Sequence, residues 1–286
     1  MGRVAIVTDS SADLTADLVA AHGLQVVPLF VRFGDREYRV GVDLTTEAFW
    51  EELQKPGAPF PSTAAPSPGT FQETFEAAFA GGAEAVVAVL IGADISATFA
   101  AATLAAQALP DREIHLVDSR STSMSTGFAA ILAAEMAAAG VPAADIAARV
   151  RDRLPDLDLY VVIDTLEYLR RGGRISGARA AIGGVLSVKP IITVIDGHVD
   201  VLESPRTRAR ARERLLQLLS AAPVERLAII HTPTSTPDEV AAFEAELLAR
   251  IPGGVNPVHV SRGLLGATTG PHLGPGLIGA AFLRSR

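Results

Sequence analysis

The residues best suited to bind a ligand lie near the end of the chain, where a lone histidine stands among glycines and prolines. The run is TGPHLGPG at residues 269–276. Glycine lets the backbone approach a ligand closely and proline restrains what glycine loosens, so this run predicts a ligand cradle with His272 as its one titratable donor. A terminal turn in which His272 only bonds a neighbouring carbonyl is an equally good interpretation.

Two hydroxyl residues near predicted helix starts are candidates for binding an anion. Ser67 and Pro68 form an N-cap and N1 pair, and Thr63 lies upstream of that cap. Ser96 follows a small-residue turn and is predicted to cap a second helix. Free N–H groups and a hydroxyl at a helix N-terminus bind carboxylates as well as phosphates, so Thr63 and Ser96 are predicted to converge on one oxyanion.

Basic residues end another predicted helix. Arg170 and Arg171 suit the negative end of the helix dipole, and Gly172-Gly173 suits a C-cap. Arg174 is needed for neither purpose. Its guanidinium suits bidentate contact with a carboxylate or phosphate, or the display of charge to a partner, and a solvated basic loop is the competing interpretation.

Asp-Ser pairs follow two predicted strands, and such pairs either cap turns or line a site. We predict structural roles for Asp118 and Ser119, and both interpretations stay open for Asp9 and Ser10. Four histidines lack metal-ligand spacing, so no metal site is predicted: His115, His198, His231 and His259.

Composition excludes several classes of protein. The 286 residues include no cysteine, which excludes disulfides, thiolate zinc sites and cysteine nucleophiles. A formal charge of -7 argues against nucleic-acid binding. Mean hydropathy is +0.30, yet no apolar run reaches the roughly 18 to 20 residues of a membrane span. An acid at residue 9 precedes any signal-peptide core, so we expect a cytoplasmic location.

P-loop, Rossmann-glycine and nucleophile-elbow patterns are missing from the sequence. Their absence favours a binding protein over an enzyme.

Short β-branched runs alternate with helix-sized segments and predict an α/β fold. The predicted strands span residues 4–8, 24–31, 85–90, 113–117, 159–163, 190–195, 226–230 and 255–260. Such continuous apolar runs are typical of a mainly parallel sheet covered on both faces, a three-layer arrangement. Asp196-Gly197 predicts a hairpin, and therefore a mixed sheet in the C-terminal half. We predict two α/β domains, residues 1–156 and 157–286.

Taken in order, these motifs resemble the DegV family, bacterial fatty-acid-binding proteins that serve as lipid-carrier subunits of a fatty acid kinase. The similarity covers nearly the whole chain and rests on residues 6–14, 27–29, 63–68, 95–99, 169–176, 188–192 and 272–276.

The resemblance implies a protein that holds one long-chain fatty acid, with the tail in a buried tunnel and the carboxylate near the domain junction. Thr63, Ser96 and His272 fall on the family positions that hydrogen-bond the carboxylate. Arg174, with Arg171 beside it, falls in the segment that meets the kinase. The kinase subunit supplies ATP and converts the acid to an acyl phosphate, so the carrier is not itself a complete enzyme and needs no cofactor besides its lipid.

Some positions depart from the family pattern. Ala64 stands where serine is common, Ala97 replaces a glycine, Gly92-Ala93 replaces hydroxyl residues, and Gly41 stands where aspartate is frequent. Fewer hydroxyls are therefore expected at the entrance. The secondary site candidates are Asp9, Ser10, Ala64, Thr98 and Gly274.

Two other functions stay open. One is a stand-alone hydrolase or kinase-like enzyme using His272 with Ser96 or Asp9, although the sequence shows no third residue to orient them. The other is a carrier of a different amphiphilic acid. The expected partners are a long-chain fatty acid and a fatty acid kinase subunit, with transient membrane-surface contact for lipid exchange and no nucleic acid.

Overall fold

The computed structural model describes residues 3–175 and 188–286. Its strands are β1 (Val4–Asp9), β2 (Gln25–Val27), β3 (Phe30–Phe33), β4 (Arg36–Arg39), β5 (Ser62–Ala64), β6 (Ala85–Leu90), β7 (Glu113–Asp118), β8 (Leu157–Val162), β9 (Ile191–Ile195), β10 (His198–Glu203), β11 (Val224–His231), β12 (Val260–Leu264) and β13 (Ile278–Arg284). Its helices are α1 (Ala16–His22), α2 (Thr46–Leu53), α3 (Pro68–Ala80), α4 (Thr98–Gln107), α5 (Ser123–Ala138), α6 (Ala143–Arg153), α7 (Glu167–Arg171), α8 (Arg208–Leu219), α9 (Pro237–Arg250) and α10 (Gly270–Leu273). Short 3-10 turns span Ser10–Ala12, Leu154–Asp156 and Pro257–His259.

The first sheet is parallel throughout, with strand order β2-β1-β6-β7. Every residue of β6 is buried, as a continuous apolar run in a sheet covered on both faces requires. Phe71 and Phe75 of α3 pack on one face together with α4. Phe128 of α5 and Ile146 of α6 pack on the opposite side. The predicted three-layer arrangement is confirmed.

The second sheet is mixed, as predicted, with strand order β10-β9-β8-β13-β11-β12. Only the β11–β12 pair of this order is parallel among the described strands. The β9–β10 hairpin turns at Asp196-Gly197, where φ is 51° and 84°, as a type I′ turn requires. Helices α8 and α9 cover one face of this sheet. β8 begins at Leu157, where the second domain is predicted to start; the division into domains stays a prediction.

Two strand predictions were wrong in their bounds, both near prolines. The run 24–31 forms β2 and β3 rather than one strand, and Pro28, which has no N–H to donate to a ladder, lies between them. The run 255–260 is a loop and a 3-10 turn that starts at Pro257, and β12 begins only at Val260. β13 was missed because its glycine and alanines lack the β-branched signal of a strand.

Helix α5 lies between the two large sheets. It contacts β1 and β6 of the first sheet and β8 and β13 of the second. Its sequence, SMSTGFAAILAAEMAA, is small or apolar on all sides, as expected for a helix buried all round. Gly127 allows the closest approach, because a Cβ there would lie 2.9 Å from the Ala12 carbonyl oxygen. The first half of α5 is thereby packed closely against the 3-10 turn that follows β1.

A small antiparallel sheet, β4-β3-β5, places Thr63. Phe49 of α2 packs on Phe33 of β3, with 5.7 Å between ring centroids, and Trp50 Nε1 donates a 2.8 Å hydrogen bond to the Leu265 carbonyl just after β12. No helix within the described residues combines the length and apolar composition needed to cross a membrane.

Candidate functional site

A mainly apolar cavity lies between the loops of the first sheet and the face of the second. It holds about 620 Å³ of atom-free space, part of which is open at the mouth. The apolar wall includes Leu29, Ile91, Leu159, Val161, Ile192 and Leu273. The polar groups on the wall include all three residues predicted to bind a carboxylate: Thr63, Ser96 and His272.

His272 and Thr63 are brought together from opposite ends of the chain. Thr63 Oγ1 and His272 Nε2 are 2.9 Å apart. Nδ1 of His272 is buried and has no hydrogen-bond partner among the described residues. Burial, assisted by the positive charge of Arg174, lowers the pKa of His272 to about 4. The imidazole is therefore neutral near pH 7 and acts as a hydrogen-bonding group rather than a cation.

Gly172 has two roles: it ends helix α7, and its lack of a side chain leaves room for the His272 ring. It caps α7, as predicted, with an ordinary φ of -74°. A Cβ on Gly172 would overlap Nδ1 of His272. Gly274 is constrained in a similar way, because its φ is +70° and a Cβ there would overlap the Tyr168 ring. These glycines seat the histidine loop against α7.

Ser96 lies on the cavity wall, but its predicted capping role was wrong by one residue. Helix α4 begins at Thr98, with Ala97 as its N-cap. Ser96 Oγ accepts a 3.3 Å hydrogen bond from the Thr98 amide and lies 2.8 Å from Thr98 Oγ1. The turn after β6 is one residue longer than the sequence pattern indicated, which leaves the Ser96 side chain on the wall. Ser67, by contrast, caps α3 as predicted.

Arg174 joins the two sides of the site. Its Nη1 donates to the Gly172 carbonyl at 2.7 Å, and its Nε donates to the Ile95 carbonyl at 3.4 Å. Gly172 contacts His272 and Ile95 precedes Ser96, so these links place Ser96, Arg174 and His272 side by side. Arg174 lies on the cavity wall itself, which the sequence did not specify.

Arg171 has a different environment from Arg174. Its guanidinium lies 3.7 Å from the centroid of the Phe60 ring, and Phe60 packs on Tyr168 with 5.3 Å between ring centroids. This stack connects α7 to the segment that leads into β5 and Thr63. Arg171 itself is exposed.

The secondary candidates do not lie on the cavity wall. Ala64 is exposed because side chains alternate along β5, and Thr98 is buried behind Ser96. Ser10 Oγ accepts from the Leu29 amide at 2.9 Å and bonds to Thr268, and both partners line the cavity.

Asp9 is fully buried at the end of β1, beside the loop that carries Ile91. It accepts hydrogen bonds from the amide and hydroxyl of Ser11 and, at 2.8 Å, from the amide of Ile91. Desolvation raises its pKa despite these donors. The geometry gives Asp9 a supporting role for the loop that carries Ile91.

The second Asp-Ser pair makes the structural contacts that were predicted. Asp118 accepts hydrogen bonds from the amides of Ala93 and Arg120, and Ser119 bonds to Thr126.

Sequence reasoning missed three threonines of the cavity wall: Thr122, Thr193 and Thr268. Thr122 follows β7 just as Ser96 follows β6, so the rule that ligands bind at the carboxyl ends of parallel strands would have found it. Thr193 lies within a strand and Thr268 precedes the predicted cradle, where composition gives no such signal. Thr269, which begins the predicted cradle, also lies on the wall.

The site does not form the relay that an enzyme using His272 would require. His272 bonds to Thr63 and not to Ser96, which bonds to Thr98. Asp9 is bonded to Ser11 and the main chain, away from the imidazole. Within residues 3–175 and 188–286, no group of three His, Asp or Glu side chains is placed to hold a metal ion.

Comparison with known proteins gives consistent matches over the full length. The model of the DegV family, described as uncharacterised proteins, matches residues 3–285. A DegV domain-containing protein of Streptomyces coelicolor is 38% identical over 281 residues, which is 97% of each chain. Protein DegV of Bacillus subtilis is 31% identical over 98% of this chain and 99% of its own.

Solved structures agree with the sequence matches. A Thermus thermophilus DegV family protein, described by its fatty acid binding, superposes with a TM-score of 0.87 at 32% identity, covering 99% of this chain and 100% of that chain. Bacillus subtilis DegV, described as a fatty acid binding protein, gives a TM-score of 0.86 at 30% identity, covering 100% of both chains. This chain belongs to the DegV family.

Proposed function

We propose that this protein binds one long-chain fatty acid, with the tail in the apolar part of the cavity and the carboxylate at Thr63, Ser96 and His272. The observation that carries this proposal is a mainly apolar cavity with a neutral hydrogen-bonding cluster on its wall. The fatty acid binding described for the Thermus and Bacillus relatives supports the ligand class.

The tail supplies most of the affinity in this proposal. A chain of about 14 methylenes gains ~0.8 kcal/mol for each one removed from water, or roughly 11 kcal/mol before the costs of binding are subtracted. The head group then needs only to be held without a large desolvation penalty. Hydroxyls and a neutral imidazole do this while Arg174, on the same wall, supplies a positive potential.

We further propose that the protein presents the bound acid to a separate ATP-dependent kinase subunit. In that reaction a carboxylate oxygen bonds to the γ-phosphorus of ATP and ADP leaves, which forms an acyl phosphate. An ionised carboxylate needs no general base, so a histidine whose pKa is about 4 is adequate here. Arg174 and Arg171 are the residues we assign to the kinase-facing side.

Native mass spectrometry of the purified protein tests the ligand assignment. We expect one fatty acid per chain, either co-purified or bound after palmitate or oleate is added to the delipidated protein. A protein that carries no lipid and ignores both acids contradicts the proposal. A co-purified isoprenoid or other amphiphilic acid favours the alternative carrier function instead.

Substitution of Arg174 tests the kinase role separately. With a fatty acid kinase and ATP, wild type should give acyl phosphate that is trapped with hydroxylamine. Because the tail supplies most of the affinity, Arg174→Gln should bind palmitate with a loss of only a few-fold and yet lose most of the product. Arg170→Gln is the control, because Arg170 pairs with Glu167 on the exposed side of α7. Equal product from Arg174→Gln and wild type contradicts the assignment of Arg174.

A further inference from the structure

Thr122 is a polar residue of the cavity wall whose hydroxyl neither the fold nor the carboxylate cluster uses. Thr122 is 6% exposed and its residue lines the cavity. Its Oγ1 is buried and has no hydrogen-bond partner among the described residues. A buried hydroxyl without a partner loses its hydrogen bonds to water and gains nothing in exchange, so such groups are rare and call for an explanation.

Helix capping does not account for this threonine. Thr122 is the N-cap residue of α5, a position where threonine normally accepts a hydrogen bond from the first turn. That bond is not made. The next hydroxyl is engaged elsewhere, since Ser123 Oγ donates to Asp13 Oδ2 at 2.6 Å. Thr122 is thus the hydroxyl at this end of α5 that remains for a ligand.

Thr122 lies close to the carboxylate cluster along the sheet. Ser96 follows β6 and Thr122 follows β7, and these strands are neighbours. Their loops are joined by a 2.8 Å hydrogen bond from the Gly92 amide to the Ser121 carbonyl, and the Ser96 amide donates to the Gly92 carbonyl. Ser96 and Thr122 are linked through these two main-chain hydrogen bonds and line the same cavity, so one ligand can contact both residues near its carboxyl end.

The environment of Thr122 favours an oxygen atom of the ligand. The N-terminus of the 16-residue helix α5 carries a positive partial charge, which attracts electron-rich oxygen. The Thr122 hydroxyl both donates and accepts hydrogen bonds, so its natural partner is another hydroxyl. Ile91 and Ile95, which belong to the loop after β6 and line the same wall, are apolar.

We propose that Thr122 is a specificity-determining residue that binds a hydroxyl group near the carboxyl end of the acyl chain, so that the cavity prefers 2-hydroxy or 3-hydroxy fatty acids to unsubstituted ones. This inference rests on the proposed fatty acid binding. It adds to that binding the chemical class of the preferred acid.

Binding of matched acids to the delipidated full chain tests this proposal. The probes are hexadecanoic acid, its 2-hydroxy and 3-hydroxy derivatives, and 16-hydroxyhexadecanoic acid as the isomer with a distant hydroxyl. Wild type should bind the better of the two proximal hydroxy acids more tightly than hexadecanoic acid, and the 16-hydroxy acid less tightly. Thr122→Val should lower the preference for the proximal hydroxyl about fivefold, the effect of one net hydrogen bond.

Thr8→Val is the matched control. Thr8 is also fully buried with an unpartnered Oγ1, but it lies in β1 and is not part of the cavity wall. It should leave the preference unchanged. Because neither hydroxyl has a partner to lose, both variants should unfold at the same or a higher urea concentration than wild type.

Three outcomes overturn the proposal. One is a wild type that prefers hexadecanoic acid to both proximal hydroxy acids. Another is an equal loss of affinity for all four acids in Thr122→Val, which would place the carboxylate itself at Thr122. The third is an equal change of preference in the two variants. A wild type that binds none of the acids contradicts the proposed function as well, and is thereby distinguished from these outcomes.

Discussion

Two buried polar clusters at the same edge of the parallel sheet have opposite relations to the cavity. One is Thr63 with His272, which faces the cavity. The other contains Asp9 and Asp13, whose carboxylates accept hydrogen bonds from Ser11, Ser123, Thr269 and the main chain. Burial favours the neutral form in both, since it lowers the pKa of His272 and raises the pKa of both aspartates.

The difference between the clusters is where their hydrogen bonds go. The aspartates bond to groups of the fold and join β1, the start of α5 and the loop before His272, and Asp13 Oδ1 has no partner among the described residues. The Thr63 and His272 side chains, by contrast, line the cavity, where a ligand can contact them. A shifted pKa alone therefore does not identify the binding site in this protein; the direction in which the polar groups face does.

The largest expected effect follows from breaking the aspartate cluster. Asp9→Ala removes the acceptor of three buried donors, the Ser11 amide, the Ser11 hydroxyl and the Ile91 amide. We expect the free energy of unfolding to fall by about 3 kcal/mol or more in urea denaturation. Asp118→Ala, whose exposed bonds are replaced by water, should cost much less. Equal losses in the two variants would contradict the structural role of Asp9.

A second large effect is expected from crowding the histidine. Gly172→Ala places a methyl group on Nδ1 of His272, so the imidazole must move. Isothermal titration should show palmitate affinity falling about tenfold or more, as expected for a displaced polar contact. Gly173→Ala is the matched control: its φ of +66° makes alanine strained, but nothing lies within 4 Å of the added carbon. It should lose some stability and retain palmitate affinity.

The aspartate cluster also predicts a dependence of stability on pH. Desolvation raises the pKa of Asp13 from 3.8 to about 7. Between these values the folded protein holds a proton that the unfolded chain has released, so the contribution of Asp13 to stability is full below pH 4 and is lost as pH rises to 7. The slope is at most about 1.4 kcal/mol per pH unit.

His272 contributes with the opposite sign, because its pKa is lowered from 6.5 to about 4 and its contribution grows as pH rises between those values. When wild type is compared with Asp13→Asn, the contribution of His272 cancels, because both chains contain His272. Wild type should lose stability relative to the variant from pH 4 to 7. A constant difference over this range would show that Asp13 is ionised throughout.

A smaller effect is expected from one hydroxyl of the histidine cluster. Thr63→Val removes the partner of His272 Nε2 and one proposed carboxylate ligand while it keeps the shape of the side chain. Palmitate affinity should fall about fivefold to tenfold, as for the net loss of one hydrogen bond of ordinary strength. Ala64→Val, on the exposed face of the same strand, should leave it unchanged. A similar loss in both variants would indicate damage to β5 rather than to the site.

Local sequence patterns predicted the parts of the fold that depend on local chemistry. The apolar run of β6, the Asp196-Gly197 turn and the Ser67 cap each have one physical cause within a few residues, and the structure confirms them. β13 and the start of α4 were not predicted correctly, because small residues such as Ala97 fit a strand, a turn or a cap equally well.

The candidate site depended on contacts between distant residues. Thr63 and His272 are 209 positions apart, and no local pattern predicts their 2.9 Å contact. Only the order of motifs that this chain shares with the DegV family predicted that Thr63 and His272 lie in one site. The position of Arg174 on the wall was missed because it follows from the packing of α7, which a single sequence does not give.

The crystal structure of the protein with palmitate tests the central claim most directly. The account predicts one acyl chain in the cavity between the sheets, with carboxylate oxygens within about 3.5 Å of Thr63 Oγ1, Ser96 Oγ and His272 Nε2. A carboxylate at the aspartate cluster, or an acyl chain outside this cavity, would contradict it.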